Sequence, residues 1–349
     1  MSPLRSRVAA VLASLASLTV AAPVPLQAQS AWVPFGGEAN LSFDFHSLDY
    51  GGHYDETGAK LEGVGETQSF YAIVTFEYGL TDRLAVTARL PYVASRYTGA
   101  LDEPILVSIL EKYEEFRQID PTAAVSVDTG EYYGALQDFV FTLRYNLLER
   151  GLTVTPVLGV IVPSHDYRTV GEAAAGQGLK VLQAGVNVGR LLDPLLPKAY
   201  VHTRYTYSFV EEYRDIPLDR STAEFEVGYG ILPTVVVRGL ANWMTTHGGL
   251  TFLESLEDLS VFLQHDRLLA SSHWHLGAAA TVTLTNALDL DASFFRFVTG
   301  RTARYGAGFS VGLTWRVLEP RIPQPSTQVR SRANRRPGWS GPVSAARSR

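Results

Sequence analysis

Long and short connections alternate along this chain, and that asymmetry constrains its fold more than any single residue. Twelve segments alternate apolar with polar side chains over roughly ten residues each, the period-two signature of strands. Six long connections join them, at 50–66, 95–134, 164–178, 211–220, 247–271 and a shorter 299–303. Interleaved are five short ones: Thr81-Asp82-Arg83, 148–151, 192–197, Leu232-Pro233 and Thr285-Asn286-Ala287. A sheet with all its tight turns at one end and its long loops at the other is the outer-membrane pattern, with periplasmic turns and extracellular loops. The expected architecture is all-β: one antiparallel up-and-down transmembrane β-barrel of about 12 strands over 37–318, both termini periplasmic.

Alternation does not decide alone, because a soluble sandwich alternates in the same way. Two further features favour the barrel. The apolar face carries aromatics near strand ends: Tyr78, Tyr145, Tyr229 and Trp315 by the short turns, and Tyr92, Tyr207, Trp243 and Trp274 by the long loops. These are girdles at the two membrane interfaces. The opposite face is set with small residues and charges of both signs, as a watery or plugged lumen requires. Two strands are less legible. Segment 152–162 is apolar almost throughout, so its facing is open. Segment 288–295 alternates until Phe294-Phe295, where the loss of register predicts a bulge.

Residues 1–28 have the form of a secretory signal: Arg5 and Arg7, an apolar core over 8–22, and cleavage after Ala28 or Ser30. The apolar core is too short for a membrane helix and runs into Pro23 and Pro25. Residues 29–36 then form an N-terminal periplasmic segment. No other stretch reaches the ~18 apolar residues of a spanning helix, so the exported chain is either soluble or crosses as strands. It contains no cysteine, so its core or a closed sheet must hold it together.

The formal charge of −5 conceals two basic ends. Of 30 basic residues, two lie in the leader and seven in the tail after Glu319, leaving 21 against 35 acidic ones in 29–319. An acidic body excludes nucleic acid as a partner, since phosphates demand the opposite sign. The expected partners are outer-membrane lipid, a small solute and the barrel-assembly machinery. Residues 319–349, rich in Arg, Pro and Ser, form a disordered basic tail. Segment 103–118, with Ile105, Ile109 and Leu110 on one side, predicts a loop helix over the mouth, and 252–269 a second such element.

Few constellations carry chemistry. His273 and His275 share a face at period two, but no third metal ligand stands near them in sequence. Arg204, Glu224, Glu226 and Arg238 fall on neighbouring strands and face one interior. They read as a ladder that pairs its own charges, or as a constriction that selects solutes. The expected lumen lining is Asp44, Glu77, Arg89, Asp138, Arg144, Arg204, Glu226 and Arg238. Ser164-His165 and Ser272-His273 are adjacent pairs, yet strand neighbours point to opposite faces, so neither makes a dyad. With no G-x-S-x-G elbow, zinc motif or phosphate loop, the reading is of a protein that is not an enzyme and takes no cofactor or metal.

Phe76-Glu77-Tyr78-Gly79-Leu80-Thr81-Asp82-Arg83-Leu84 leads to Leu90-Pro91-Tyr92, a strand, tight turn and strand; Gly134 with Gln137-Asp138, Val162-Pro163-Ser164 and Thr299-Gly300-Arg301 stand further on. On these pieces, over most of 37–318, the chain resembles the outer-membrane transporters associated with the meta-pathway of phenol degradation. The resemblance implies passage of hydrophobic or aromatic compounds. One departure is that the final strand, Ser310-Val311-Gly312-Leu313-Thr314-Trp315-Arg316-Val317, resembles the assembly signal that usually ends such chains, yet 319–349 follow it.

The resulting expectation is a channel for passive, energy-independent uptake through a bore between the filled eight-stranded and the aqueous sixteen-stranded kinds, gated by its loops or by residues 31–37. A structural or adhesion barrel with a closed lumen, and an outer-membrane lipid hydrolase, are the alternatives.

Overall fold

The computed structural model of the protein describes residues 31–61, 65–99, 128–251, 254, 261 and 264–318. The leader 1–28, the loop helix expected over 103–118 and the tail 319–349 lie outside these residues. Fifteen strands form one sheet: β1 (Ala39–Tyr54), β2 (Lys60–Leu61), β3 (Glu66–Gly79), β4 (Leu84–Thr98), β5 (Tyr133–Leu136), β6 (Phe139–Tyr145), β7 (Leu148–Arg150), β8 (Leu152–Val162), β9 (Val181–Leu191), β10 (Ala199–Val210), β11 (Leu218–Leu232), β12 (Val235–Gly248), β13 (Ser272–Thr285), β14 (Leu288–Arg301) and β15 (Ala303–Leu318). Twelve make the wall; β2, β5 and β7 are short pieces on β1, β4 and β8. Of the region 252–269, one short helix, α1 (His265–Leu268), is described.

Each wall strand pairs antiparallel with the next, and β15 pairs with β1 from Ala39↔Leu318 to Tyr54↔Ala303. That last pairing turns a sheet into a cylinder, with no strand edge left for its backbone groups to go unpaired in lipid. The short turns are locally stitched: the Thr81 hydroxyl accepts from the N–H of Arg83 and of Leu84, and Thr285 accepts from Ala287.

Two wall strands contain proline, which cannot donate to a ladder. Both sit where pairing is already interrupted. Pro91 of β4 lies between the β6 partners, which end at Arg89↔Val140, and the β5 partners, which begin at Tyr92↔Leu136. The gap lets Gln137 and Asp138 leave the sheet, with only the Gln137 N–H reaching back to the Pro91 carbonyl. Pro156 of β8 likewise lies between β6 and β7.

Facing follows the period-two expectation. Phe43, Val227 and Leu313 are 52%, 40% and 42% exposed on the outside, while Asp44, Glu226 and Gly312 beside them are buried. The nearly apolar β8 resolves with Thr153, Thr155 and Val157 inward and Leu158 and Val160 outward. The bulge expected at Phe294-Phe295 is displaced. Phe294 points out and Phe295 in, the alternation holds through Phe297, and the ladder slips at Val298, between the pairs His275↔Phe297 and Trp274↔Thr299. An aromatic inward residue had looked like lost register because apolar side chains were assigned to the lipid face.

Candidate functional site: the bore of the barrel

Three layers fill the cylinder. The layer nearest the short turns is ionic. Arg144 of β6, fully buried, pairs with Glu77 of β3, whose other oxygen accepts from Asn40. Across the bore, Arg238 of β12 bridges Glu226 of β11 (3.3 Å) and Asp291 of β14. Tyr200 donates to Glu226 at 2.5 Å and Thr281 to Asp291 at 2.7 Å. Every charge in this layer has an opposite neighbour, which is the condition for keeping it out of bulk water.

Into this layer rises the segment before β1. It doubles back at Gly37, whose positive φ of 84° suits glycine, and is pinned by the Gly37 N–H on the Gly79 carbonyl (2.8 Å) and the Gly36 N–H on Asp82 (3.1 Å). Its leading end lies inside the barrel. Ala31 is wholly buried and its carbonyl accepts from Thr155 of β8 at 2.6 Å. Trp32 stands edge-on to Tyr200, ring centres 6.0 Å apart. Gly189 of β9 makes room, since a Cβ there would lie 2.7 Å from that of Ala31 and 2.9 Å from the Trp32 ring.

At mid-height lies a chamber of about 160 Å³. Arg89, Arg204 and Arg220, with Asp138 and Glu224, supply its charges, and His273 and His275 part of its wall. Arg204 and Glu224 are direct cross-strand partners. Arg204 Nη1, Glu224 Oε2 and both ring nitrogens of His275 are buried without a hydrogen bond.

Above the chamber the β8–β9 connection folds inward. Tyr167 and Ala175 pack in a cluster with Leu48, Tyr71, Ile73, Phe295 and Phe297. Glu172 is held by Arg304 of β15, and Asp128 accepts from the N–H of Glu172 (2.7 Å) and of Ala173 (2.8 Å). Tyr167 donates to Asp138 at 2.5 Å, and Arg220 binds Gln177. With Arg267 donating to the Gln177 carbonyl at 3.0 Å, these anchors make a fastened plug rather than a loose loop.

No protein-family model matches the sequence, and no curated protein does. Solved structures do match. In fold, the chain resembles an outer membrane channel from Pseudomonas putida F1. The two align with a TM-score of 0.58 over 81% of this chain and 96% of that one, at 13% identity. The toluene transporter TodX of P. putida (TM-score 0.38, 9% identity, 82% and 90% covered) aligns more loosely. So does the translocator domain of the Neisseria meningitidis autotransporter NalP (TM-score 0.44, 10% identity, 81% and 90% covered). Likenesses so loose carry no argument about this chain. What is established is a closed antiparallel twelve-strand barrel of outer-membrane type.

The structure places Asp44, Glu77, Arg89, Asp138, Arg144, Arg204, Glu226 and Arg238 together on the inner side of the wall. They divide by level. Glu77, Arg144, Glu226 and Arg238 belong to the ionic layer, whereas Arg89, Asp138 and Arg204 line the chamber. Asp44 interacts electrostatically with both Arg89 and Asp291, between the two. Arg220, Asp291 and the aromatic pair Phe295 and Phe297 were missed. Arg220 was assigned to the 211–220 connection, whereas the strand begins at Leu218; Asp291 stood on the polar face of its segment without being counted; the aromatics carry no polar signal at all.

His273 and His275 stack at 6.1 Å against Phe297, and among the described residues no group of three ligands suits a metal. The strand argument against Ser164-His165 does not apply, because both residues lie beyond the end of β8. Their Oγ and Nδ1 are 2.8 Å apart. The Ser164 hydroxyl, however, also stands 2.9 Å from the Leu136 carbonyl, which takes its proton. A second contact, Ser221 Oγ to His247 Nε2 at 2.7 Å, joins β11 to β12 and was not foreseen. Ser221 is buried and shared with the Tyr205 hydroxyl, so it presents no open nucleophile.

Proposed function

We propose that this chain is an outer-membrane channel for passive uptake of small, hydrophobic or aromatic compounds, exported by residues 1–28 and assembled through its final strand. The observation that carries this reading is a polar, cavity-bearing bore inside a wall with an apolar exterior. A purely structural barrel gains nothing from Arg204 Nη1, Glu224 Oε2 and the His275 nitrogens, buried without hydrogen bonds, since each such atom costs desolvation. Both ends of the bore are occupied, by Trp32 below and the β8–β9 plug above, so the resting channel is occluded and conducts when one of them yields.

The test is electrical and osmotic. Purified mature chain in planar bilayers should give small, infrequent conductance steps that grow when the segment carrying Trp32 is shortened, and proteoliposomes should admit small solutes. No current and no solute entry from either form would leave a closed structural barrel as the function.

A further inference from the structure

We propose that the mid-height chamber is a binding site for a single-ring aromatic monocarboxylate. This rests on the channel reading and names its substrate class. Size sets the first limit. An apolar cavity of about 150 Å³ holds one benzene ring, and the chamber of about 160 Å³ therefore takes one ring with a small substituent and excludes fused rings and sugar chains.

Charge sets the second limit. The lining holds three guanidinium groups, Arg89, Arg204 and Arg220, against two carboxylates, Asp138 and Glu224. Asp138 interacts with Arg220 and already accepts from Tyr167. Glu224 faces both Arg204 and Arg89, and Asp44, behind the lining, is a further counter-charge of Arg89, so the groups on that side balance in charge but not in hydrogen bonds: Arg204 Nη1 and Glu224 Oε2 are both left unpaired. The side chain of Arg204 is 96% buried by its 4% exposure, and its Nη1 donates to nothing in the protein. A neutral hydrocarbon entering here leaves that donor desolvated and unpaired, a cost that a carboxylate oxygen removes with a charge-assisted bond.

The rest of the chamber suits a ring. His273 and His275 form a stacked pair backed by Phe295 and Phe297, with centre-to-centre distances of 5.1 to 5.4 Å. His275 keeps both nitrogens unpartnered at 5% exposure, so its imidazole offers a face to an aromatic ring and an edge to a polar substituent. Guanidinium on one wall and aromatic faces on another are the two halves of an aromatic carboxylate.

The experiment is calorimetric titration of the mature chain in detergent with sodium benzoate and with benzyl alcohol, protein-free micelles serving as the blank. Benzoate should bind about tenfold tighter than its neutral counterpart, equivalent to ~1.4 kcal/mol. Arg204→Met should abolish that preference while benzyl alcohol changes less than about twofold. Asp44→Asn should tighten benzoate binding by freeing Arg89, an effect opposite in sign to any that misfolding produces. Equal affinity for the two compounds in the wild type, or benzoate weakened by Asp44→Asn, overturns the assignment. Bilayer conductance separates the two proposals: currents without benzoate preference refute the carboxylate site alone, whereas the absence of currents from both the mature chain and the form shortened at Trp32 refutes the channel.

Discussion

Trp32→Ala isolates the plug at the short-turn end. The Trp32 side chain is only 9% exposed, although it precedes the first strand and belongs to no sheet. A buried tryptophan withdraws ~150–250 Å² from water, which at ~25 cal/mol per Å² is ~4–6 kcal/mol. Alanine retains part of that contact and the segment regains freedom on release, so ~3 kcal/mol is the fitting loss, at the low end for such truncations. At ~1.4 kcal/mol per decade the released population should rise about a hundredfold. The native chain has no cysteine, so Ala31→Cys supplies a single thiol at a position with no exposed surface. Its rate of modification by a bulky water-soluble maleimide, with and without Trp32→Ala, reads the release directly. A thiol that reacts in the parent as fast as in denatured protein, or a rate moved less than threefold by Trp32→Ala (under ~0.7 kcal/mol), refutes the idea that Trp32 holds the segment in.

Gly189→Leu should expel the same segment by a different route, because its side chain occupies the space of Ala31 and Trp32; raised conductance without loss of the folded, heat-modifiable band is the expected result, and unchanged conductance counts against it. Arg238→Met should cost ~3–5 kcal/mol of unfolding free energy in urea, because Glu226 and Asp291 are left buried and facing each other. Adding Asp291→Asn should return part of that loss, and no recovery would mean that the arginine acts through packing alone. Val227→Arg, on the lipid side, should cost up to ~2–4 kcal/mol on folding into vesicles, while the same change in detergent-solubilised folding should be milder. Glu172→Gln removes the carboxylate charge that pairs with Arg304, leaving only the bond to the Glu172 carbonyl among their mutual contacts, and should loosen the β8–β9 plug, seen as faster proteolysis within 164–178; protection equal to wild type would place the holding force in the Tyr167 cluster instead.

The sequence alone determined the wall. Loop lengths settled strand order and which turns share an end, because a hairpin of two or three residues can only join antiparallel neighbours. Period two settled facing for Asp44, Glu77, Arg144 and Arg204, since one face must meet lipid and the other must not. Tertiary structure decided what occupies the bore. Polarity misled at Phe295 and Phe297, which lie inside because the β8–β9 plug supplies an apolar surface for them to meet. The insertion of Trp32 and the neighbourhood of Glu172 and Arg304, 132 residues apart, are likewise invisible to local pattern. Periodicity reports only the environment on either side of a strand. What fills a closed cylinder depends on segments brought together across the whole chain, and their mutual fit exists only after the cylinder has closed.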